Sequence, residues 1–329
     1  MRYVERLIPS GAPPQTPGSL THAPSGAPPQ TPGSLTHAPS GAPPQTPGSL
    51  THAPPGAPPP PAGLEGIVSR LWMLEAARLR TYEKILPQPS VHLIVNLSEP
   101  YRLFDRHGQA TVVSDAFVSG VQSEYLVIES PSTIHHVGAE ILPARLPMIT
   151  DADPAQLAGR VQDARAVWTG IDELVAAIRR SASPDDALGV LTAFLESRRT
   201  PRPADSVVDV AVAAIQADPA QAIGDLAVRT GVSHRTLITR FRAATGLAPK
   251  AYAQIWRFHT FVTAAMNGSR APDWAALAAA SGFSDQPHVI RAFRRFTGWT
   301  PAEYYRRVVE FGPDSASFVP LEDLPIATD

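Results

Sequence analysis

Residues 274–298, WAALAAASGFSDQPHVIRAFRRFTG, decide how the rest of the chain is read. Two helices around a tight turn are predicted there. Leu277 and Ala278 follow Trp274 at helical spacing, and Gly282 supplies a residue able to take positive φ where the first helix stops. Phe283 anchors the turn, Ser284 or Asp285 stands where a cap of the second helix belongs, and Pro287 falls in its first turn. Val289, Phe293 and Phe296 recur at i, i+4 and i+7 as a buried face, while Gln286, His288, Arg291, Arg294 and Arg295 occupy the other. A short helix braced by its neighbour, apolar behind and rich in amide and guanidinium groups in front, is what reading the major groove of DNA requires. An ordinary amphipathic helix with a solvated basic face has the same pattern.

The pattern occurs twice. Leu237, Phe241, Arg242, Thr245, Gly246, Pro249 and Tyr252 precede Val289, Phe293, Arg294, Thr297, Gly298, Pro301 and Tyr304 by 52 residues. Residues 225–246, DLAVRTGVSHRTLITRFRAATG, therefore read as another helix-turn-helix; Gly231 lies 51 residues before Gly282, so the later copy has one extra residue in its turn. An amphipathic segment from Lys250 to Met266, with Tyr252, Ile255, Trp256, Phe258 and Val262 available for packing, joins the units. At a separation of about one turn of DNA, roughly 34 Å, one chain can enter two successive major grooves.

These residues carry a resemblance: 205–308, above all GFSDQPHVIRAFRRFTGWTPAEYYR, is similar to the DNA-binding module of the AraC/XylS family of bacterial transcription regulators. The resemblance implies seven helices, two helix-turn-helix units and a connecting helix. Carried over, the base-facing positions are Arg235, Ile238 and Thr239 in the first unit and Gln286, Pro287 and Arg291 in the second. Many members place Gln and Arg where this chain has Ile238 and Thr239, which weakens direct readout by the first unit. Arg240 and Arg242, with Arg294 and Arg295 in the second unit, are the candidates for gripping phosphate.

Charge is distributed accordingly. The net charge of −2 conceals −3 over residues 1–200, +5 over 201–311 and −4 from Gly312 onward. Only Lys84 and Lys250 are lysines, an arginine bias that points to a GC-rich bacterial genome. The absence of cysteine excludes a disulfide framework, thiolate catalysis and cysteine zinc sites. No apolar run approaches the roughly 20 residues that span a bilayer, and MRYVERLIPS lacks a signal peptide's apolar centre, so a cytoplasmic location is expected.

Residues 10–54 are three copies of SGAPPQTPGSLTHAP, and a proline-rich stretch follows to Gly63. Such a segment breaks helices and has too little apolar content to offset chain entropy, so it reads as a disordered insertion tolerated at the surface. Residues 67–75 are a strand or a short helix, and 91–97, 101–104, 110–113, 125–128 and 136–142 are candidate strands of a barrel or sandwich. PSVHLIVNL, FVSGVQ and HHVGAEILPARLP resemble an uncharacterised N-terminal domain that often precedes AraC-type modules. Helices are expected from Asp153-Pro154 through Val161, over 171–180, and from Ser183-Pro184 toward Glu196. The fold class expected is α+β multidomain: a β-rich, barrel-like sensory or dimerisation domain with a helical appendix, then an all-α, homeodomain-like domain. The boundaries are 1–9 for the start of the first domain, 10–63 for the insertion, 64–197 for the β-rich domain, 198–204 for a linker, 205–311 for the DNA-binding domain and 312–329 for a loosely held acidic tail.

Cupin barrels can be metalloenzymes, and the histidines are the residues on which such a metal site would depend. His22, His37 and His52 are too far apart for a fixed site, His135 and His136 point to opposite faces of a strand, and His92 is isolated. No metal, cofactor or catalytic residue is expected. The function that follows is a sequence-specific transcription regulator, with promoter DNA as partner and RNA polymerase, a small-molecule effector and a second copy of the chain as further candidates. A cupin-like metalloenzyme with an appended DNA module, or a module making protein contacts only, are the alternatives.

Overall fold

The computed structural model describes residues 2–8, 63–266, 272–283, 285–312 and 316–324, so the repeat and the capping candidate Ser284 lie outside the described residues. The described residues contain eleven strands: β1 (Arg2–Leu7), β2 (Val68–Ala77), β3 (Tyr82–Ile85), β4 (Val91–Asn96), β5 (Tyr101–Phe104), β6 (Ala110–Val113), β7 (Ala116–Ser119), β8 (Leu126–Glu129), β9 (Thr133–Ile141), β10 (Val161–Asp163) and β11 (Phe318–Leu321). They form two sheets, ordered β1-β2-β9-β4-β7-β10 and β11-β3-β8-β5-β6, so of the two arrangements expected the β-rich region takes the sandwich and does not close into a barrel. Every neighbouring pair is antiparallel.

Strand alternation explains the layers. Along β9, Val137, Ala139 and Ile141 face outward with Leu71, Leu93 and Val95, and are covered by α2 (Ile171–Arg179) and α3 (Pro184–Ser197) through Leu174, Ile178, Leu188 and Leu191. The opposite face turns toward the second sheet. There Ile94 and Phe117 of the larger sheet meet Tyr101, Leu103 and Ile128 of the smaller one. The helix expected through Val161 is only α1 (Pro154–Leu157), capped by Asp153; beyond it the chain re-enters the sheet as β10.

Seven helices follow among the described residues: α4 (Ser206–Ala217), α5 (Ile223–Thr230), α6 (His234–Thr245), α7 (Pro249–Met266), α8 (Trp274–Ala280), α9 (Gln286–Thr297) and α10 (Pro301–Phe311). Val208, Ile215, Leu226, Leu237, Phe241 and Tyr252 give the first unit a core of its own. The second unit packs Phe258, Phe261, Phe293, Phe296 and Tyr304 into an apolar cluster continuous with that of the N-terminal domain. The tail is not loosely held at residues 318–321. Strand β11 pairs with β3, its Val319 fully buried, and Tyr304 Oη donates to Ala316 O at 2.6 Å. The 198–204 segment is also tied down, with Thr200 N donating to Met148 O at 2.7 Å and Arg202 paired with Asp151 at 2.7 Å.

Candidate nucleic-acid interface

The two recognition helices, α6 and α9, are built by the same local devices. Each starts on a side-chain cap: Ser233 Oγ accepts from the Thr236 amide at 3.1 Å, and Asp285 Oδ1 from the His288 amide at 2.7 Å. Each ends on Thr-Gly. Thr245 Oγ1 donates to Phe241 O at 2.8 Å and Thr297 Oγ1 to Phe293 O at 2.7 Å. Gly246 and Gly298 then turn the chain at φ 78° and 76°, and their amides return to Arg242 O and Arg294 O. Positive φ without steric cost is what glycine supplies at a helix C-terminus.

Those devices fix which face is buried. Leu237 and Phe241 in α6, and Val289, Phe293 and Phe296 in α9, point into their cores. Arg235 and Thr239 are exposed on α6 with Ile238 half-buried beside them, and Gln286, Pro287 and Arg291 are exposed on α9. Each set is gathered near the N-terminal end of its helix, the end that major-groove readers present to bases. Among the phosphate candidates, Arg242, Arg294 and Arg295 are exposed, and Arg295 Nη1 donates to Gln254 Oε1 at 3.1 Å. Arg240 differs. Its Nε and Nη2 both donate at 2.7 Å to the Asp205 carboxylate, which also caps α4 by accepting from the Val207 and Val208 amides. The guanidinium offered by the sequence as a phosphate contact is thus held as an internal brace.

The far ends of the two helices abut the N-terminal domain. A Cβ on Gly246 would lie 2.3 Å from Pro154 O, so α6 touches α1 in close backbone contact. At α9 the contact is made by Lys84 of β3, 2% exposed, whose ammonium donates to Thr297 O at 2.7 Å. That ammonium lies between the rings of Trp299 and Tyr125, 3.8 and 4.0 Å from their centroids. Burial and, after it, the Arg307 guanidinium push Lys84 down to about 7. The negative end of α9 and the two ring faces favour the protonated form. A further salt bridge, Arg145 to Asp209 at 2.6 Å, joins the N-terminal domain to α4.

Sequence reasoning singled out neither Lys84 nor two residues of α7, Gln254 and Arg257. The latter line a groove of about 170 Å³ together with Arg291 and Arg295. The signal was available as a polar stripe on a segment read only for its apolar positions. Among the described residues no group of three or more His, Cys, Asp and Glu could hold a metal ion, and no helix is long and apolar enough to cross a membrane.

Comparison with known proteins agrees with this layout. Residues 226–307 match the helix-turn-helix domain family HTH_18, and residues 57–163 match a domain of unknown function, DUF6597. A protein of Streptomyces antibioticus described as an AraC-like transcription regulator is 35% identical over 103 residues, covering 31% of this chain and 33% of the relative. A similarly described protein of Streptomyces lividans is 32% identical over 103 residues, with the same coverage of 31% and 33%. The match therefore spans about a third of the length of these relatives. Among solved structures, ToxT from Vibrio cholerae is 9% identical with a TM-score of 0.45, covering 72% of this chain and 98% of that one. The C-terminal third of the chain is an AraC-type helix-turn-helix domain, and the β-rich region before it belongs to a family of unknown function.

Proposed function

We propose that the protein is a sequence-specific, DNA-binding transcription regulator acting in the cytoplasm, with promoter DNA as its partner. The observation that carries this reading is the pair of recognition helices. They share caps, buried faces and C-terminal turns, and each leaves a polar, arginine-bearing end exposed. In this reading Gln286, Pro287 and Arg291 face bases from α9, Arg235, Ile238 and Thr239 face them from α6, and Arg242, Arg294 and Arg295 meet phosphates. In the same reading the N-terminal domain, which contacts both helix ends, reports an effector or a second copy of the chain to the DNA-binding units. RNA polymerase would be met on the promoter. No enzymatic step is assigned, and neither the metalloenzyme nor the protein-contact alternative gains an observation of its own.

The test is a set of binding titrations with the full chain on cognate and scrambled duplexes at one fixed salt concentration. Arg291→Ala should cost about 1–3 kcal/mol on the cognate duplex and relax preference at one or two base pairs, because bidentate Arg to guanine is the commonest specific contact. Arg242→Ala should weaken both duplexes alike. Binding that ignores salt, or no binding by the wild-type chain, would overturn the reading.

A further inference from the structure

The groove between α7 and α9 is lined by groups that suit an anion. Gln254 and Arg257 stand one turn apart on α7, and Arg291 and Arg295 one turn apart on α9, over a floor that includes Phe283 and Phe296. Ten ion pairs occur among the described residues, and none involves Arg257, Arg291 or Arg295. Like charges one turn apart on a helix repel each other. Arg257 adds a third guanidinium, lying over the Phe283 ring at 5.5 Å, with Nη2 donating to Pro219 O at 2.9 Å and a buried Nε that has no partner among the described residues. Gln254 accepts from Arg295 through Oε1, which leaves its amide NH₂ as the group with which it can donate.

The place of the groove narrows the choice of anion. Helix α7 is the element that runs from the first helix-turn-helix unit to the second. When two recognition helices enter successive major grooves on one face of B-DNA, the strands bordering the intervening minor groove pass in front of whatever joins them. We infer that the α7–α9 groove is a DNA-backbone subsite in which Arg257, Arg295 and the Gln254 amide hold a phosphodiester group of the strand beside the second recognition helix. The connecting helix is then part of the binding surface as well as a spacer. This inference rests on the DNA-binding reading above, and Arg291 links the subsite to the base-facing residues.

The experiment measures equilibrium binding of the full chain to cognate and scrambled duplexes across a potassium chloride series. Arg257 also braces the α4–α5 turn through Pro219, so the informative variants are Gln254→Glu and Arg295→Gln, with melting temperature as a check on folding. Each should weaken binding to both duplexes by a similar factor, roughly three- to tenfold, and reduce the slope of log K against log salt by about 0.9, the loss of one phosphate contact. Unchanged affinity and slope in both variants, while Arg291→Ala still relaxes sequence preference, would overturn the subsite and leave the DNA-binding reading standing. A loss confined to the cognate duplex would also overturn it, by showing that the groove reads bases. No binding by the wild-type chain would remove both.

Discussion

The two helix-turn-helix units share their local sequence logic and differ in what surrounds them. In each, a side-chain cap starts the recognition helix, a phenylalanine anchors it, and Thr-Gly ends it. Yet the first unit has a separate core around Phe241 and Tyr252, while the second shares one with the N-terminal domain around Phe293, Phe258 and Tyr304. The N-terminal domain touches α6 through neutral backbone at Pro154, grips α9 with a buried cation, and takes up strand β11 from the tail that follows α10. Repetition fixes the geometry of a reading head; the neighbours decide how firmly it is held.

The largest expected effects test that division of cores. Phe241→Ala and Phe293→Ala should each cost about 3–5 kcal/mol, because each empties a fully buried ring position. They should differ in reach. Hydrogen exchange should quicken in β3 and β11 for Phe293→Ala, whose cluster includes the buried Val319 of β11. For Phe241→Ala it should quicken mainly in α4 to α6. Equal loss of protection in β3 and β11 from both variants would show one cooperative unit, and the contrast would fail.

The buried cation supplies the next contrast, since the charged tie of the first unit to the N-terminal domain is the partly exposed Arg145–Asp209 pair. Lys84 sits near 7 in the folded chain against an ordinary 10.5, so between those values the unfolded chain binds more protons. Stability should therefore rise with pH across that window, by at most about 1.4 kcal/mol per pH unit for a single proton, and this group adds no dependence well below 7. Lys84→Met should flatten the rise in chemical denaturation series from pH 7 to 10. A rise of the same slope in the variant would assign it to other groups.

The reading heads themselves should also be unequal. Arg291→Ala should lose more sequence preference than Thr239→Ala, which removes only a hydroxyl and a methyl contact where a guanidinium can make two hydrogen bonds to guanine. Competition between cognate and scrambled duplexes measures this directly. A greater loss from Thr239→Ala would reverse the assignment of the dominant unit.

The two units were legible because their evidence is local: period 3.6 in the apolar residues, caps before them and Thr-Gly after. What joins them to the N-terminal domain was not. Strand β3 reads Tyr-Glu-Lys-Ile, and its central Glu83 and Lys84 are both buried, 8% and 2% exposed, against the expectation that charged side chains stay in water. Burial pushes the Glu83 carboxyl up to about 7. Strand β11 contains Pro320, which an edge strand tolerates, but its partner is more than two hundred residues away and no local pattern announces it. Short alternating strands leave barrel and sandwich open; which edges meet depends on pairings across the whole chain. Base-facing positions such as Gln286 and Arg291 came from resemblance, and their role rests on the binding experiments.

Arg240 shows the same limit on a smaller scale and gives the finest test of the comparison. Its basic character is plain in the sequence, while its partner Asp205 lies 35 residues away at the start of another helix. The equivalent position in the second unit, 52 residues on, is Ala292, so only the first unit carries this brace. Burial opposes ionisation of Asp205, but Arg240 and the Val208 amide outweigh it and hold the carboxyl below its ordinary value. The stabilisation it lends is present above the ordinary carboxylate range and is lost as pH falls through the lowered value. Asp205→Asn keeps an oxygen to cap α4 and removes the charge, so it should cost less than about 1 kcal/mol, the scale of a partly exposed ion pair. It also releases the Arg240 guanidinium toward solvent. If that side of α6 lies against DNA backbone, the variant should bind scrambled duplex more tightly than wild type and steepen the salt dependence by up to about 0.9 in log–log slope. An unchanged slope with the expected small loss of stability would place Arg240 away from the backbone, as a brace alone.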